Sequence, residues 1–151
     1  MPSRFDIEHV TEINAPIERV WDALIAIDNW NWNKWTKLEA KSATTGESGT
    51  LKACYKGDDE KWETFDFSFS QVSREEHLLE WSGIVAGGLL FKGKHHMKLA
   101  SVSAEITVLE HKEVFSGLLP LLGLGLPYKT LDRNYLLMNK AFKAHVESPN
   151  K

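Results

Sequence analysis

The sequence predicts an α+β domain: one strand, two short helical segments and six more antiparallel strands form a curved seven-stranded sheet wrapped around a long C-terminal helix. Three observations carry this. Apolar residues recur at every second position in stretch after stretch from Lys37 to Phe115, which excludes a helical bundle. Two stretches repeat at 3.6 residues instead, Ile17 to Ile27 and Thr130 to Val146. The second of these comes last, and the surface left for its apolar stripe is the inner face of the sheet.

The first strand runs from about Arg4 to Ile13, with Phe5, Ile7, His9, Thr11 and Ile13 opposing Asp6, Glu8, Val10 and Glu12. Pro16 suits a first helical turn, where its fixed φ helps and its missing N–H is not needed, and Glu18 sets a negative charge near the positive helix end. Ile17, Val20, Trp21, Leu24 and Ile27 give this short helix one buried stripe. The stripe breaks at Asp28 to Trp35, whose Asx and Trp content reads as a second short helix or helical turn. Strands follow over about Lys37–Ala43, Thr50–Lys56, Lys61–Val72, His77–Val85, Leu90–Leu99 and Glu105–Phe115. Turn signals separate them at Gly46–Gly49, Gly57–Asp59, Ser73–Glu76, Gly87–Gly88 and Ser101–Ser103. Phe65, Phe67 and Phe69 oppose Asp66, Ser68 and Ser70, and Leu79, Trp81 and Gly83 oppose Glu80 and Ser82, so one face is apolar along its length. Gly117 to Tyr128 is too apolar for an ordinary loop and too broken by Gly and Pro for a regular element. The last helix carries Leu131, Tyr135, Met138 and Phe142 on one stripe.

A chain of 151 residues suits one domain, residues 1–151. A domain of about that size buries roughly 70% of the surface its unfolded chain exposes, enough for one core and one cavity. The formal charge of -3, with acids and bases interspersed, offers no basic patch for a phosphate backbone, so no nucleic-acid partner is expected. The opening Met-Pro-Ser-Arg-Phe-Asp has no apolar h-region, and no run reaches the ~18 apolar residues of a membrane span, which makes a cytoplasmic protein the expectation. The lone Cys54 permits no internal disulfide, fits a reducing compartment and, with no histidine near it in sequence, reads as a passive thiol. Neither a glycine-rich phosphate cradle nor a nucleophile elbow is present, and no cofactor is expected.

The string Ile13-Asn-Ala-Pro-Ile-Glu-Arg-Val-Trp-Asp-Ala-Leu24, followed by Asp28 and Trp35, resembles the opening signature of the START and Bet v 1-like superfamily (SRPBCC), including small polyketide cyclase/dehydrase-like proteins. Phe91, Gly93 and His95, then His111, Glu113, Phe115 and Gly117, then Asn139, Ala141, Phe142 and Lys143 extend the likeness over nearly the whole chain. The resemblance implies a helix-grip fold with a deep apolar cavity between sheet and terminal helix, reached past the loop before that helix. Lipid carriers, aromatase/cyclases, hormone receptors and co-chaperone activators share that fold, so the site has to decide the activity.

Candidate site residues come from the parity of two neighbouring strands. Phe91, Gly93, His95, Met97 and Leu99 share one face, with Lys92, Lys94, His96 and Lys98 on the other. His111 and Glu113 share a face with Thr107, Leu109 and Phe115, and a hairpin turn near Ser101 to Ser103 lays the two strands side by side. Two histidines and a glutamate then point inward, where an unpartnered polar group costs roughly 1–3 kcal/mol. Three roles stay open for His95, His111 and Glu113: ligand contact, a structural hydrogen-bond network, or, in an enzyme, catalytic proton transfer. Zinc accepts these ligand types, but no Cys pair or His-Glu-x-x-His string supports it, and no metal is expected. Trp21, Trp30, Trp32 and Trp35 are expected to pack at the sheet edge, whereas Trp81 projects from mid-sheet beside Phe67 or Phe69. The candidate ligand-binding set is Phe67, Phe69, Trp81, Phe91, His95, Met97, His111, Tyr135, Met138 and Phe142. Asn139 reads as a polar support beside them.

The expected function is binding of a small hydrophobic or aromatic molecule in a cavity between sheet and C-terminal helix. One alternative is a polyketide cyclase, aromatase or dehydratase-type enzyme using the same cavity. Another is a protein-interaction module of the chaperone-activator type, docking through the outer row Lys92, Lys94, His96 and Lys98. The loop from Leu118 to Leu126 reads as a lid, a membrane contact or a dimer contact. Only Lys129 and Arg133 lie near it in sequence, which weighs against anionic lipid. A monomer or a homodimer is expected.

Overall fold

The computed structural model describes residues 6–58, 60–122, 124 and 127–148. Arg4 and Phe5 of the expected first strand, Asp59, and Gly123, Gly125 and Leu126 of the apolar loop lie outside the described residues. The chain runs β1 (Ile7–Ile13), α1 (Ile17–Ile25), a 3-10 turn (Ile27–Asn29), β2 (Thr36–Glu39), β3 (Ser48–Ala53), β4 (Glu63–Ser73), β5 (Leu78–Val85), a second 3-10 turn (Ala86–Gly88), β6 (Phe91–Ser103), β7 (Ile106–Ser116), α2 (Leu118–Leu121) and α3 (Tyr128–Glu147). All strands pair antiparallel in one curled seven-stranded sheet of order β1-β7-β6-β5-β4-β3-β2. This is the helix-grip arrangement.

Several boundaries differ from the periodicity reading, each for a hydrogen-bonding reason. The second helical segment is a single 3-10 turn at Ile27–Asn29, because Asn33 turns its side-chain carbonyl onto the Trp35 and Thr36 amides and starts β2. β2 stops at Glu39 rather than Ala43, where its pairing with β3 ends at Thr50. β3 ends at Ala53, where the Cys54 amide donates to Trp35 and the chain turns through Gly57. The β6–β7 hairpin turns beyond Ser103, not at Ser101–Ser103, because pairing continues to Ser103 and Ile106 through a bulge. The apolar loop contains one helical turn, α2, which the Gly and Pro content concealed.

The inner face follows the predicted parity. In β6 the inward residues Phe91, Gly93, His95, Met97 and Leu99 are buried, and so are Thr107, Leu109, His111, Glu113 and Phe115 of β7. β5 is buried on both faces from Leu78 to Gly83, because it is central and its outward Glu80 is covered by Lys94 and His96. The outer lysine row is thus engaged in cross-strand pairs, with Lys94 3.6 Å from Glu80, His96 2.7 Å from Glu80 and Lys98 donating to the Glu76 carbonyl. α3 closes the inner face with Leu131, Tyr135, Met138, Phe142 and Val146, all buried.

Candidate functional site

Two inward glycines determine where the interior stays open. Gly83 of β5 is the register partner of Phe67 on one side and of Gly93 on the other, and Gly93 in turn partners Phe115. A row that would hold four side chains therefore holds two; Glu113 takes the space over Gly93, and a cavity remains beside Gly83. It measures about 40 Å³ and is lined by Leu51, Ala53, Tyr55, Phe65, Gly83, Phe91, His95, Glu113, Leu131 and Tyr135. A neighbouring space of about 30 Å³ shares Leu51, Ala53, Tyr55, His95, Leu131 and Tyr135 and adds Trp35, Cys54 and Asn134.

One wall is polar. His95 and Glu113 are register partners on β6 and β7, and His95 Nε2 lies 2.9 Å from Glu113 Oε2. From α3, the Tyr135 hydroxyl donates to Glu113 Oε1 at 2.6 Å and sits 3.4 Å from His95 Nε2. All three side chains are buried, so they interact in a medium that strengthens charge-assisted hydrogen bonds. Gly93 is what admits the carboxylate: a Cβ there would collide with Glu113 Oε2. Burial, with the Glu113 charge beside it, holds the Tyr135 phenol well above its usual range, so it stays a donor. Burial, helped by the Glu63 carboxylate, also raises the Tyr55 phenol on the opposite wall. His95 Nδ1 is buried and has no hydrogen-bond partner, which gives the wall one unsatisfied polar atom.

The sequence-derived candidates divide into two groups. Phe91, His95, Glu113 and Tyr135 line the cavity. Phe67, Phe69, Trp81, Met97, His111, Met138 and Phe142 are almost wholly buried and are not among its lining residues. Trp81 stacks on the His95 ring at 4.5 Å and 8°, and Trp30 packs edge-on against it at 6.0 Å. Trp32 reaches Phe142 at 5.0 Å, and Trp30 lies beside Leu38 of the edge strand β2, so the two rings pack at the sheet edge and reach inward from it. The space is smaller than the deep cavity the resemblance implies. His111 turns away to Asn139, its Nδ1–H donating to Oδ1 at 2.9 Å, while Asn139 Nδ2 donates to Thr11 Oγ1. Burial first, and His95 second, lower the His111 pKa to about 3. Tyr55, Leu51, Ala53, Phe65, Gly83 and Leu131 join the lining without having been singled out, although each lies on an alternating strand or on the α3 stripe.

The carboxylate–imidazole pair can share a proton, and Tyr135 can hold the carboxylate in place while it does so. Among the described residues no group of three or more His, Cys, Asp or Glu is arranged to hold a metal ion. No helix among them is long and apolar enough to cross a membrane.

By sequence the chain matches no family model and no curated protein. By structure it superposes on the Zhui aromatase/cyclase from Streptomyces sp. R1128 with a TM-score of 0.67 at 16% identity, covering 94% of this chain and 93% of that one. Norcoclaurine synthase from Thalictrum flavum, in complex with dopamine and hydroxybenzaldehyde, gives a TM-score of 0.69 at 14% identity over 97% of this chain and 88% of that one. Ara h 8.0201 gives a TM-score of 0.64 at 12% identity over 93% and 96% of the two chains. These are Bet v 1-like helix-grip proteins, and at such identities what the likeness shows for this chain is the helix-grip fold.

Proposed function

We propose that the protein binds a small hydrophobic or aromatic molecule in the cavity between the sheet and α3, with one polar group of the ligand directed at the His95–Glu113–Tyr135 wall. The supporting observation is the pair of unpartnered polar atoms, His95 Nδ1 and the Tyr55 hydroxyl, beside a cavity whose other walls include Leu51, Ala53, Phe65, Phe91 and Leu131. Apolar walls with a few convergent polar groups are the usual make-up of a small-molecule site. The space of about 40 Å³ is well below the ~150 Å³ that accepts a benzene ring, so lining side chains must move apart on binding.

The test fills the gap from the sheet side. A Cβ at Gly83 would meet only Leu51 Cδ1, at 3.8 Å, so Gly83→Val should fold and occupy the cavity. Titration with 1-anilinonaphthalene-8-sulfonate, together with native mass spectrometry for a copurified compound, should show binding to the wild type and a loss of roughly tenfold or more in the variant. Equal affinity in both proteins would place the ligand elsewhere.

A second reading has its own observation: the buried 2.9 Å pair of His95 and Glu113, which suits acid–base chemistry of the cyclase, aromatase or dehydratase kind. On that reading His95→Gln lowers turnover of a polyketide-like substrate by ~10²–10⁴-fold while leaving its binding within about tenfold. Parallel losses in binding and turnover would count against it.

A further inference from the structure

The end of the domain beside Phe91 and Leu131 carries a platform of exposed leucines that neither the cavity nor the core uses. Leu89 is 81% exposed, Leu122 61%, Leu124 56%, Leu118 48% and Leu90 38%. They come from two distant segments fastened together: the Leu118 amide donates to the Leu89 carbonyl at 3.0 Å and the Leu119 amide to the Leu90 carbonyl at 2.8 Å. Gly117, at φ 102, is packed so closely on the Leu90 carbonyl that a side chain there would collide with it. The Tyr128 hydroxyl in turn bonds the Leu124 carbonyl. The leucines are therefore held in one place, and a contiguous exposed apolar patch of this kind marks an interaction surface.

The charges around the platform choose its partner. The chain has no Asp or Glu between Glu80 and Glu105, nor between Glu113 and Asp132. Of the lysines in those stretches, Lys94 and Lys98 turn to Glu80 and the Glu76 carbonyl, which leaves Lys92 and Lys129 for the platform. Pairing of β6 with β7 sets the exposed Lys92 opposite Ser116, two residues before Leu118, and the exposed Lys129 follows Tyr128. Lys92 and Lys129 are therefore the exposed cations beside the leucines, with Asp6 held on the neighbouring Phe115 amide. We propose that the leucine platform docks on a lipid bilayer carrying anionic lipids, with the leucines in the interface and Lys92 and Lys129 against the headgroups. A two-fold dimer through the same patch would set Lys92 and Lys129 of one copy near those of the other. The platform adjoins the cavity through Phe91 and Leu131, so a docked protein would present its ligand site to the bilayer.

Cosedimentation of the whole protein with phosphatidylcholine vesicles, with and without phosphatidylglycerol, tests this. Binding is expected to the anionic vesicles and to weaken with added salt. Leu89→Asp combined with Leu122→Asp should reduce the bound fraction roughly tenfold or more, with unchanged circular dichroism and melting. Lys92→Glu with Lys129→Glu should reduce it several-fold and remove most of the salt dependence. Absence of vesicle binding, or binding that survives the leucine substitutions, would overturn the proposal. So would a dimer in light scattering that those substitutions dissolve, since a second copy would then cover the platform.

Discussion

At the scale of single residues, two glycines one register apart do opposite things. Gly93 makes room for the Glu113 carboxylate, whereas Gly83 faces open cavity. Replacing a strand glycine by alanine without strain stabilises a protein by about 0.4–1 kcal/mol through the unfolded chain, and Gly83→Ala should gain that much in urea denaturation. Gly93→Ala should instead lose about 1–3 kcal/mol, because its methyl group pushes Glu113 Oε2 from His95 Nε2 and leaves both groups buried without each other. The His95 imidazole resonances should shift in the same variant. A Gly93→Ala protein as stable as the wild type, with unmoved His95 resonances, would mean that the carboxylate has another place to lie.

At the scale of elements, α3 is fixed to the sheet by polar side chains at the centre of an apolar seam. Asn139 bridges Thr11 on β1 and His111 on β7, and Tyr135 reaches Glu113 four residues earlier. Asn139→Ala should cost about 2 kcal/mol, since it leaves the buried His111 Nδ1–H without an acceptor. The double variant His111→Leu, Asn139→Leu should recover much of that, because removing both partners leaves no buried donor unpaired. If the double variant loses the sum of the single losses, the two residues do not act as a pair. The existence and parity of these elements were legible in the sequence: the inward sets of β6 and β7 and the α3 stripe were set by period alone. The pairing of His95 with Glu113 and the reach of Tyr135 to that carboxylate were not, because they need the hairpin to turn beyond Ser103 and α3 to lie over that register. What period could not show was depth. Phe67, Trp81, Met138 and Phe142 share the inward parity of the cavity residues, but Trp30 and Trp32 arrive from a turn with no periodicity and fill the space in front of Trp81 and Phe142. Nor does alternation reveal that the cavity sits over Gly83, because an inward glycine reads simply as a small apolar residue until its neighbours Phe67 and Gly93 are paired with it. The joining of Leu89–Leu90 to Leu118–Leu119, and with it Lys92 beside the leucines, needed the β6–β7 register as well.

At the scale of the whole molecule, buried ionisable groups confine stability to a window of pH. His111 is neutral in the folded protein, with its pKa lowered to about 3 by burial and by His95, whereas an unfolded histidine titrates near ~6.5. The unfolded chain therefore takes up the proton first as pH falls. Stability is intact above ~6.5 and declines towards about pH 3 at a slope of roughly 1.4 kcal/mol per pH unit, or about 2 kcal/mol by pH 5. The alkaline limit has the opposite origin. Tyr135 and Tyr55 are raised in the folded state by burial and neighbouring carboxylates, so above ~10 the unfolded chain loses these protons first and stability falls again. The acid limb can be assigned to one side chain, because an Asn side chain puts its amide nitrogen in the place of His111 Nδ1 and can still donate to Asn139 Oδ1 but does not titrate. Urea midpoints of the wild type should drop between about pH 7 and about pH 5, while those of His111→Asn stay closer to flat over the same range. Equal slopes for the two proteins would show that the acid sensitivity does not come from His111.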